Sequence, residues 1–301
     1  MNPKHLFCFL PSFLAATMLV SAENWPQFRG PTAQGISAEK NAPLTWSATE
    51  NIAWKTELPG ESWSSPIVWG NRVFVTTATD DGESCRVLSL NRKSGKILWD
   101  KEVFKQVQRR KQARNTFATP TPATDGERVY AAFNDGSFVA LKFDGSPAWE
   151  NRDYKFFGEH GLGTALLLHD GALVMARDGS SDGEDKGLGW QTPWDQSYVV
   201  ALDAKTGKER WKTGRGLSRI SHGTPVIWEH AGKAQVVTEA GDVVQGFDLK
   251  TGERLWSSEV IGEGKVLAKN PLGEKVQASI AVSQGQIFIR TEKNLFCIGA
   301  N

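Results

Sequence analysis

Short runs of alternating apolar and polar residues follow one another along most of the chain, and turn-forming residues separate them. Residues 198–202 form one such run, and Asp-Gly dipeptides at 125–126 and 170–171 lie between pairs of them. Alternation with a period of two is typical of β-strands, and Asp-Gly between two such runs is a strong hairpin signal. The pattern predicts an all-β chain of antiparallel hairpins.

One hairpin phrase recurs four times, beginning at a small residue and ending at a tryptophan, with a glycine in the turn between. Full copies occupy residues 89–99, 201–211 and 246–256, and a copy one residue shorter occupies 140–149. We expect each glycine to adopt a positive φ and each tryptophan to fill the wedge between neighbouring sheets. With one tryptophan upstream of the first copy, the predicted structural repeat residues are Trp54, Gly95, Trp99, Gly145, Trp149, Gly207, Trp211, Gly252 and Trp256.

Another pair of predicted strands precedes each copy of the phrase, which makes four strands per repeat. The tryptophans of the series follow one another at intervals of 45 to 62 residues. Four-stranded units at this period are typical of a β-propeller with antiparallel blades. Three further strands are predicted between residues 276 and 298, and residues 51–56 would supply their missing fourth strand. The sequence therefore predicts about five blades, closed by an N-terminal strand.

The first residues of the chain have the pattern of a secretory signal. Lys4 precedes an apolar run over residues 6–20, and small residues follow up to Ala22. We predict a signal peptide over residues 1–22 that is cleaved after Ala22. An N-terminal extension over 23–50 and the propeller over 51–301 would follow. An uncleaved anchor is the alternative. After cleavage the protein would be periplasmic or secreted and would not span a membrane.

The charge and composition of the chain limit the classes of partner that it is expected to bind. The chain has 35 Lys and Arg against 34 Asp and Glu, so no excess of positive charge favours nucleic acid or an anionic membrane. Its 40% hydrophobic content and 12 tryptophans exclude a disordered chain. Two cysteines lie outside the predicted signal peptide, Cys85 and Cys297, and either a disulfide or buried thiols fit them.

The repeat phrase resembles the tryptophan-ending repeat of the pyrroloquinoline quinone (PQQ)-like β-propeller family. Residues 25–31, Trp-Pro-Gln-Phe-Arg-Gly-Pro, are similar to the opening of exported members from planctomycete-type bacteria. The family contains quinoprotein dehydrogenases, which hold PQQ and Ca²⁺ in an eight-bladed ring. It also contains BamB, a scaffold without a cofactor in the outer-membrane assembly machinery.

The chain departs from both kinds of relative. It lacks the adjacent cysteine pair of the dehydrogenases, has about half their length, and offers no assignable Ca²⁺ ligands. It also lacks the lipidated cysteine of the assembly scaffold. The resemblance implies a non-enzymatic exported scaffold without a cofactor that binds a protein or polysaccharide on a loop face. The alternative is a PQQ-dependent dehydrogenase, which would bind PQQ and Ca²⁺.

The segment after the last full repeat has an unusual order of elements. Residues 257–265 and 266–274 each resemble the end of a fourth strand, with no inner strands between them. We hypothesise that whole repeats are absent near 264–266 and that five sheets close imperfectly as a result.

The third repeat carries a long insertion with candidate binding residues. Its first part, residues 177–186, clusters four carboxylates, which fit either a solvated loop or a Ca²⁺-chelating loop. The two tryptophans that follow, Trp190 and Trp194, lie beside polar groups such as Asp195. They suit contact with a glycan or peptide, or else they pack the insertion onto the blades.

Two histidines and a basic stretch complete the candidates. His160 and His222 precede corresponding inner strands, so both are expected to face the central channel. There they would bind a metal, serve acid–base chemistry or be hydrogen-bonded structural residues. Residues 101–114 are basic and fit either contact with an acidic polymer or a solvated connector between blades. The sequence contains no nucleophile elbow, phosphate loop or dinucleotide fingerprint, so no catalytic residue and no metal site is assigned.

Overall fold

A computed structural model describes most of the chain between Asn24 and Ile298. The described ranges are 24–37, 52–107, 111–259, 281–283, 286–290 and 295–298. The first compact unit ends at Ser258 and the second begins at Glu259, and each is described by itself. The predicted signal peptide over 1–22 and the junction at 264–266 lie outside the described residues.

The first unit contains four sheets, each of four antiparallel strands that follow one another in chain order. Blade 1 comprises β1 (Ile67–Trp69), β2 (Arg72–Thr79), β3 (Ser84–Asn91) and β4 (Ile97–Lys105). Blade 2 comprises β5 (Ala123–Thr124), β6 (Arg128–Ala132), β7 (Phe138–Lys142) and β8 (Pro147–Asn151). Blade 3 comprises β9 (Leu167–His169), β10 (Ala172–Arg177), β11 (Tyr198–Asp203) and β12 (Glu209–Gly214). Blade 4 comprises β13 (Val226–His230), β14 (Lys233–Glu239), β15 (Val243–Asp248) and β16 (Arg254–Glu259).

The second unit contains one three-stranded antiparallel sheet, with β17 (Ala281–Ser283), β18 (Gln286–Arg290) and β19 (Leu295–Ile298). The four sheets of the first unit confirm the predicted all-β propeller fold with four-stranded antiparallel blades, and the described residues contain four such blades where the sequence predicted about five. The only helical turn in the described ranges is a 3₁₀ turn at Asp80–Gly82.

The blades stack face to face, so their middle strands are buried on both sides. In β10, Leu173 and Met175 join a cluster that includes residues of blade 2. Ala172 and Val174 point to the other face and join a cluster that includes residues of blade 4. All six residues of β10 are buried. A strand covered on two faces becomes continuously apolar, which explains why alternation is weakest in these strands.

Each repeat tryptophan binds the hairpin of the following blade. The indole Nε1 of Trp99 donates to the carbonyl of Phe143, at 2.8 Å. Trp149 donates in the same way to Ala204, at 2.9 Å. Trp211 donates to Leu249, which completes the series, also at 2.9 Å. The tryptophan at the end of one repeat therefore fastens the next repeat to it.

The glycine of the accepting hairpin is required for this contact. The ring of Trp211 lies against Gly252, where an added Cβ would be 2.5 Å from Trp211 Cδ2. Gly252 also has a φ of +73°, which L-residues with a side chain rarely adopt. The same arrangement recurs where Trp149 lies on Gly207 and Trp99 lies on Gly145. These contacts confirm the predicted roles of the tryptophan and the glycine of the repeat.

The first and last tryptophans of the repeat series, Trp54 and Trp256, make different contacts from the three tryptophans between them. Trp54 packs on Gly95 and donates to the carbonyl of Arg92, as a tryptophan of a preceding blade would. However, residues 52–56 form no β-strand, and the sheet of β17–β19 has three strands, so the predicted closing strand is not observed in the described residues. Side-chain contacts with blade 1, rather than strand pairing, hold this segment. Trp256 donates to Gln235 Oε1 within its own blade, at 2.8 Å.

The N-terminal segment, residues 24–37, crosses the inner strands of three blades. Strand β5 lies between β1 and β9, and the segment contacts all three strands. Trp25 exchanges two backbone hydrogen bonds with β1, and the Pro26 carbonyl accepts one from β5. Gln27 Oε1 accepts a hydrogen bond from the amide of Leu168 in β9, at 2.8 Å. The motif at 25–31 thus ties the first three blades together.

Two further observations concern the chemistry of the chain. Cys85 is a free, buried thiol, and burial raises its pKa well above the usual range. Within the described ranges, no helix has the length and apolarity needed to cross a bilayer.

Candidate functional site

The end of the blades opposite the tryptophan contacts carries the longer connections, and we call it the link face. It comprises the segments that lead into the four blades, residues 57–66, 106–122, 152–166 and 215–225, and the insertion between β10 and β11, residues 178–197. These segments are bonded to the neighbouring loops. For example, the Gln106 amide group donates to the carbonyl of Gly82, at 2.7 Å. The link face is therefore a continuous surface of connected loops.

The insertion begins at a buried arginine. Arg177 is 1% exposed, and its Nη2 donates to the carbonyl of Gly136, at 2.8 Å. Its guanidinium carbon lies 4.4 Å from the centroid of the Phe138 ring, which provides a cation–π contact. Loss of hydration lowers the pKa of Arg177 to about 10. The first residue of the predicted acidic loop is thus a buried anchor.

An ion pair with the residue that follows β12 holds the next residue of the insertion. Asp178 and Arg215 lie 3.2 Å apart, and both side chains are fully buried. Arg215 also donates to the hydroxyl and the carbonyl of Thr238 in blade 4, both at 3.3 Å. Burial raises the pKa of Asp178 to about 7, although the positive charge of Arg215 opposes this rise.

This pair corrects the interpretation of residues 177–186 as a uniformly solvated or Ca²⁺-chelating loop. Of its four carboxylates, Asp178 is buried and paired with an arginine, whereas the other three are exposed. The described residues contain no group of three or more His, Cys, Asp or Glu side chains placed to hold a metal ion. Sequence analysis missed Arg215, which lies in a different segment and is itself buried.

The second half of the insertion is tied to the connection between blades 3 and 4. Trp194 and Ser218 form an antiparallel bridge, with N···O distances of 2.9 and 3.1 Å. The side chain of Trp194 is half-buried, and the next residue, Asp195, is exposed. Asp195 Oδ1 accepts a hydrogen bond from its neighbour Gln196, at 2.7 Å. The side chain of Trp194 is therefore partly covered by packing, whereas Asp195 lies on the surface.

A cleft of about 570 Å³ separates the insertion from residues 155–157. Trp194, Asp195 and Tyr198 line it on the insertion side. Lys212 contributes a cation, and its Nζ lies 4.1 Å from the centroid of the Tyr198 ring. The cleft offers aromatic surface, a cation and carboxylates together, which is a chemistry suited to polar ligands with apolar faces.

The other candidate residues converge at a second position on the link face. The rings of His160 and His222 have centroids 5.7 Å apart, although 62 positions separate them in sequence. Trp190 packs edge-on against His160, with centroids 5.4 Å apart. Partial loss of hydration lowers the pKa of His222, and the nearby charge of His160 lowers it further. The structure therefore brings together three of the five predicted ligand-binding residues here and the other two at the cleft.

Large apolar side chains are also exposed on the link face. Val107 is 80% exposed, Leu217 is 70% exposed and Trp63 is 66% exposed. Trp190 adds to them at 36%. Sequence analysis predicted only Trp190, because isolated apolar residues in connections carry no periodic signal.

The basic stretch 101–114 is divided between two elements. Its first part lies in β4, where Lys105 pairs with Glu83 at 3.5 Å. Its second part lies in the connection after β4, where Lys111 Nζ is 5.2 Å from the centroid of the Phe117 ring. The described positive charges are thus spread along a strand and a connector.

The fold is that of a tryptophan-docked β-propeller. In this class, a tryptophan of each blade packs on the hairpin of the next blade, and long loops lie at one end of the blades. The chain belongs to the family described as outer membrane protein assembly factor BamB, which matches residues 36–155 and 194–271. Between the two matched segments lie residues 156–193, which contain β9, β10 and most of the insertion.

Relatives of two kinds are similar to the chain. The structure of BamB from Moraxella catarrhalis superposes with a TM-score of 0.52 at 18% identity, covering 82% of this chain and 63% of that one. Quinohemoprotein alcohol dehydrogenase from Comamonas testosteroni superposes with a TM-score of 0.56 at 14% identity, covering 92% and 47%. Polyvinylalcohol dehydrogenase from a Pseudomonas species is 22% identical over 271 residues, covering 78% of this chain and 41% of the relative.

These similarities establish the fold and leave the activity open. The chain spans less than half the length of the curated dehydrogenases it matches, 41% of one and 27% of another. Within the described ranges, no three His, Cys, Asp or Glu side chains lie together as metal ligands.

Proposed function

We propose that this protein is a non-enzymatic, exported scaffold that binds a protein or polysaccharide partner on its link face. The observation that carries the proposal is the exposure of large apolar side chains on that face. Val107, Leu217 and Trp63 are each more than 60% exposed. Exposed large apolar side chains favour association at the face that carries them, because their burial by a partner releases hydrating water.

Two loops of the link face, the insertion and the connection that carries Leu217, are held in place before a partner binds. The Asp178–Arg215 pair fixes the start of the insertion, and the Trp194–Ser218 bridge fixes its end. A surface that is already ordered loses little conformational freedom on association. The link face is thus suited to recognition by a rigid surface.

The predicted signal peptide over residues 1–22 supports export to the periplasm or beyond, and the match to an outer membrane assembly family agrees with an envelope location. The competing function is a PQQ-dependent dehydrogenase, since two curated relatives are named as dehydrogenases. It would require oxygen ligands for Ca²⁺, which Asp, Glu, Asn and backbone carbonyl groups can provide.

Site-specific photo-crosslinking in intact cells tests the scaffold function. A photoreactive amino acid at Val107 or Leu217 should yield one adduct of the same mass from both positions. Leu98 and Leu255 are matched controls, because they are apolar and 43% and 42% exposed but lie on the outer strands β4 and β16. Adducts absent from the link face, or equally strong at the controls, would contradict the proposal.

Titration of the purified protein with PQQ and Ca²⁺ tests the competing enzyme. The scaffold function predicts no saturable absorbance change at micromolar quinone and no dye reduction with alcohols. Saturable binding together with dye reduction would overturn the non-enzymatic assignment, whatever the crosslinking shows.

A further inference from the structure

Two imidazole rings lie side by side on the link face, each contributed by a different connection between blades. His160 belongs to the connection from blade 2 to blade 3, and His222 belongs to the connection from blade 3 to blade 4. Their ring centroids are 5.7 Å apart and their planes are tilted by 45°. His222 is exposed and His160 is half-buried, so a small solute reaches both from solvent.

Among the residues that the structure describes, the ring nitrogens of this pair have no hydrogen-bond partner. Within the described part of the chain, neither imidazole takes part in a hydrogen bond or an ion pair. A structural histidine normally donates or accepts through at least one ring nitrogen. The interpretation of His160 and His222 as hydrogen-bonded structural residues therefore does not describe them.

Contacts with the backbone of His160 and with the side chain of His222 hold both histidines in position. The carbonyl of His160 accepts a hydrogen bond from Asn115 Nδ2, at 2.7 Å, and a further one from the amide of Gln112. His222 lies against Gly163, where an added Cβ would be 2.8 Å from His222 Nδ1. The close approach of the two connections thus depends on a residue without a side chain.

The separation of the rings suits shared coordination of one ion. Two imidazoles that bind one ion at a metal–nitrogen distance of about 2.1 Å have ring centroids no more than about 6.5 Å apart. The observed 5.7 Å lies within this limit and corresponds to a ligand–metal–ligand angle somewhat wider than tetrahedral. Imidazole nitrogen is a preferred ligand of Cu²⁺, Ni²⁺ and Zn²⁺.

We propose that His160 and His222 form a two-histidine site for a divalent transition-metal ion on the link face, with water completing the coordination. The ion would join the two connections that flank blade 3. This site is separate from the cleft beside Trp194 and does not depend on a partner being bound.

Cu²⁺ is the probe for this site, because it binds nitrogen ligands most strongly among the divalent ions of the first transition row. We expect calorimetric titration of the full chain, produced without a polyhistidine tag, to show a site of micromolar affinity. Electron paramagnetic resonance should show hyperfine splitting from two nitrogens. His160→Gln and His222→Gln should each weaken binding by about tenfold or more and reduce the nitrogen splitting.

The two other described histidines provide matched controls. His169 is the more demanding one, because its Nε2 lies 3.9 Å from carboxylate oxygens of both Asp170 and Glu229. His169→Gln and His230→Gln should leave the affinity and the spectrum unchanged. Circular dichroism melts would establish that every variant is folded.

Three results would overturn the proposal. They are the absence of Cu²⁺ binding tighter than about 100 µM, undiminished binding by a folded H160Q/H222Q double variant, and loss of binding on His169→Gln.

Discussion

Gly252→Ala should lower the free energy of unfolding by about 2–5 kcal/mol, because two separate costs act at this position. The first is the backbone conformation, since a φ of +73° costs a residue with a Cβ roughly 1–2 kcal/mol. The second is displacement of the buried Trp211 ring, because the new Cβ would lie 2.5 Å from it. Overpacking of this kind costs about 1–3 kcal/mol.

Gly232→Ala separates the two costs. Gly232 has the same φ of +73° in another hairpin of blade 4, and an added Cβ there meets nothing within 4 Å. It should lose only the roughly 1–2 kcal/mol of the backbone cost. Urea unfolding of both variants, followed by circular dichroism and tryptophan fluorescence, measures the difference. Equal losses in the two variants would refute the conclusion that the tryptophan is tightly seated on the glycine.

Three further predictions concern the buried polar contacts. The pKa of Asp178 is raised to about 7 in the fold, so its contribution to the free energy of unfolding should be fully present below about pH 4. This contribution, a few kcal/mol, should be lost as pH rises through 7. Asp178→Asn should flatten this part of a profile of stability against pH. Arg215→Met should cost about 3–5 kcal/mol by leaving Asp178 without its cation, and an R215M/D178N double variant that recovers nothing in urea unfolding would contradict this. Gln27→Ala should lower the free energy of unfolding by about 1–3 kcal/mol, because the amide of Leu168 loses its acceptor. Hydrogen exchange at that amide should become faster. An unchanged rate would show that the N-terminal segment does not protect it.

The strands and hairpins of the repeats were predictable because their signals are local. A tight turn needs a residue that tolerates a positive φ, and a strand needs alternating or continuous apolar residues within five or six positions. The phrase ending at Trp211 contains both signals within eleven residues, and the structure has β11 and β12 there. The identity of the fold class followed from the repetition of such phrases.

Contacts between blades were not predictable in the same way. The sequence predicted that Trp149 and Trp211 fill wedges between sheets. It did not identify their hydrogen-bond acceptors, because these lie 55 and 38 positions further along the chain. The acidic segment at 177–186 was interpreted from its charge alone. Its second residue, Asp178, is buried because Arg215 from another strand end meets it there. Asp178 and Arg215 are 37 positions apart, and Arg215 also donates to Thr238 of blade 4, so no local pattern records these contacts.

The sequence by itself determined that this protein is built from tryptophan-ending hairpins and indicated which loops depart from the repeat. Only the tertiary structure decided how those loops combine. It divided the five candidate residues between the cleft at Trp194 and the pair formed by His160 and His222. It also showed that Trp54 is held by side-chain contacts with blade 1 instead of in a strand. Turn and strand preferences act over a few residues, whereas a surface is assembled from connections that the stacking of whole blades brings together.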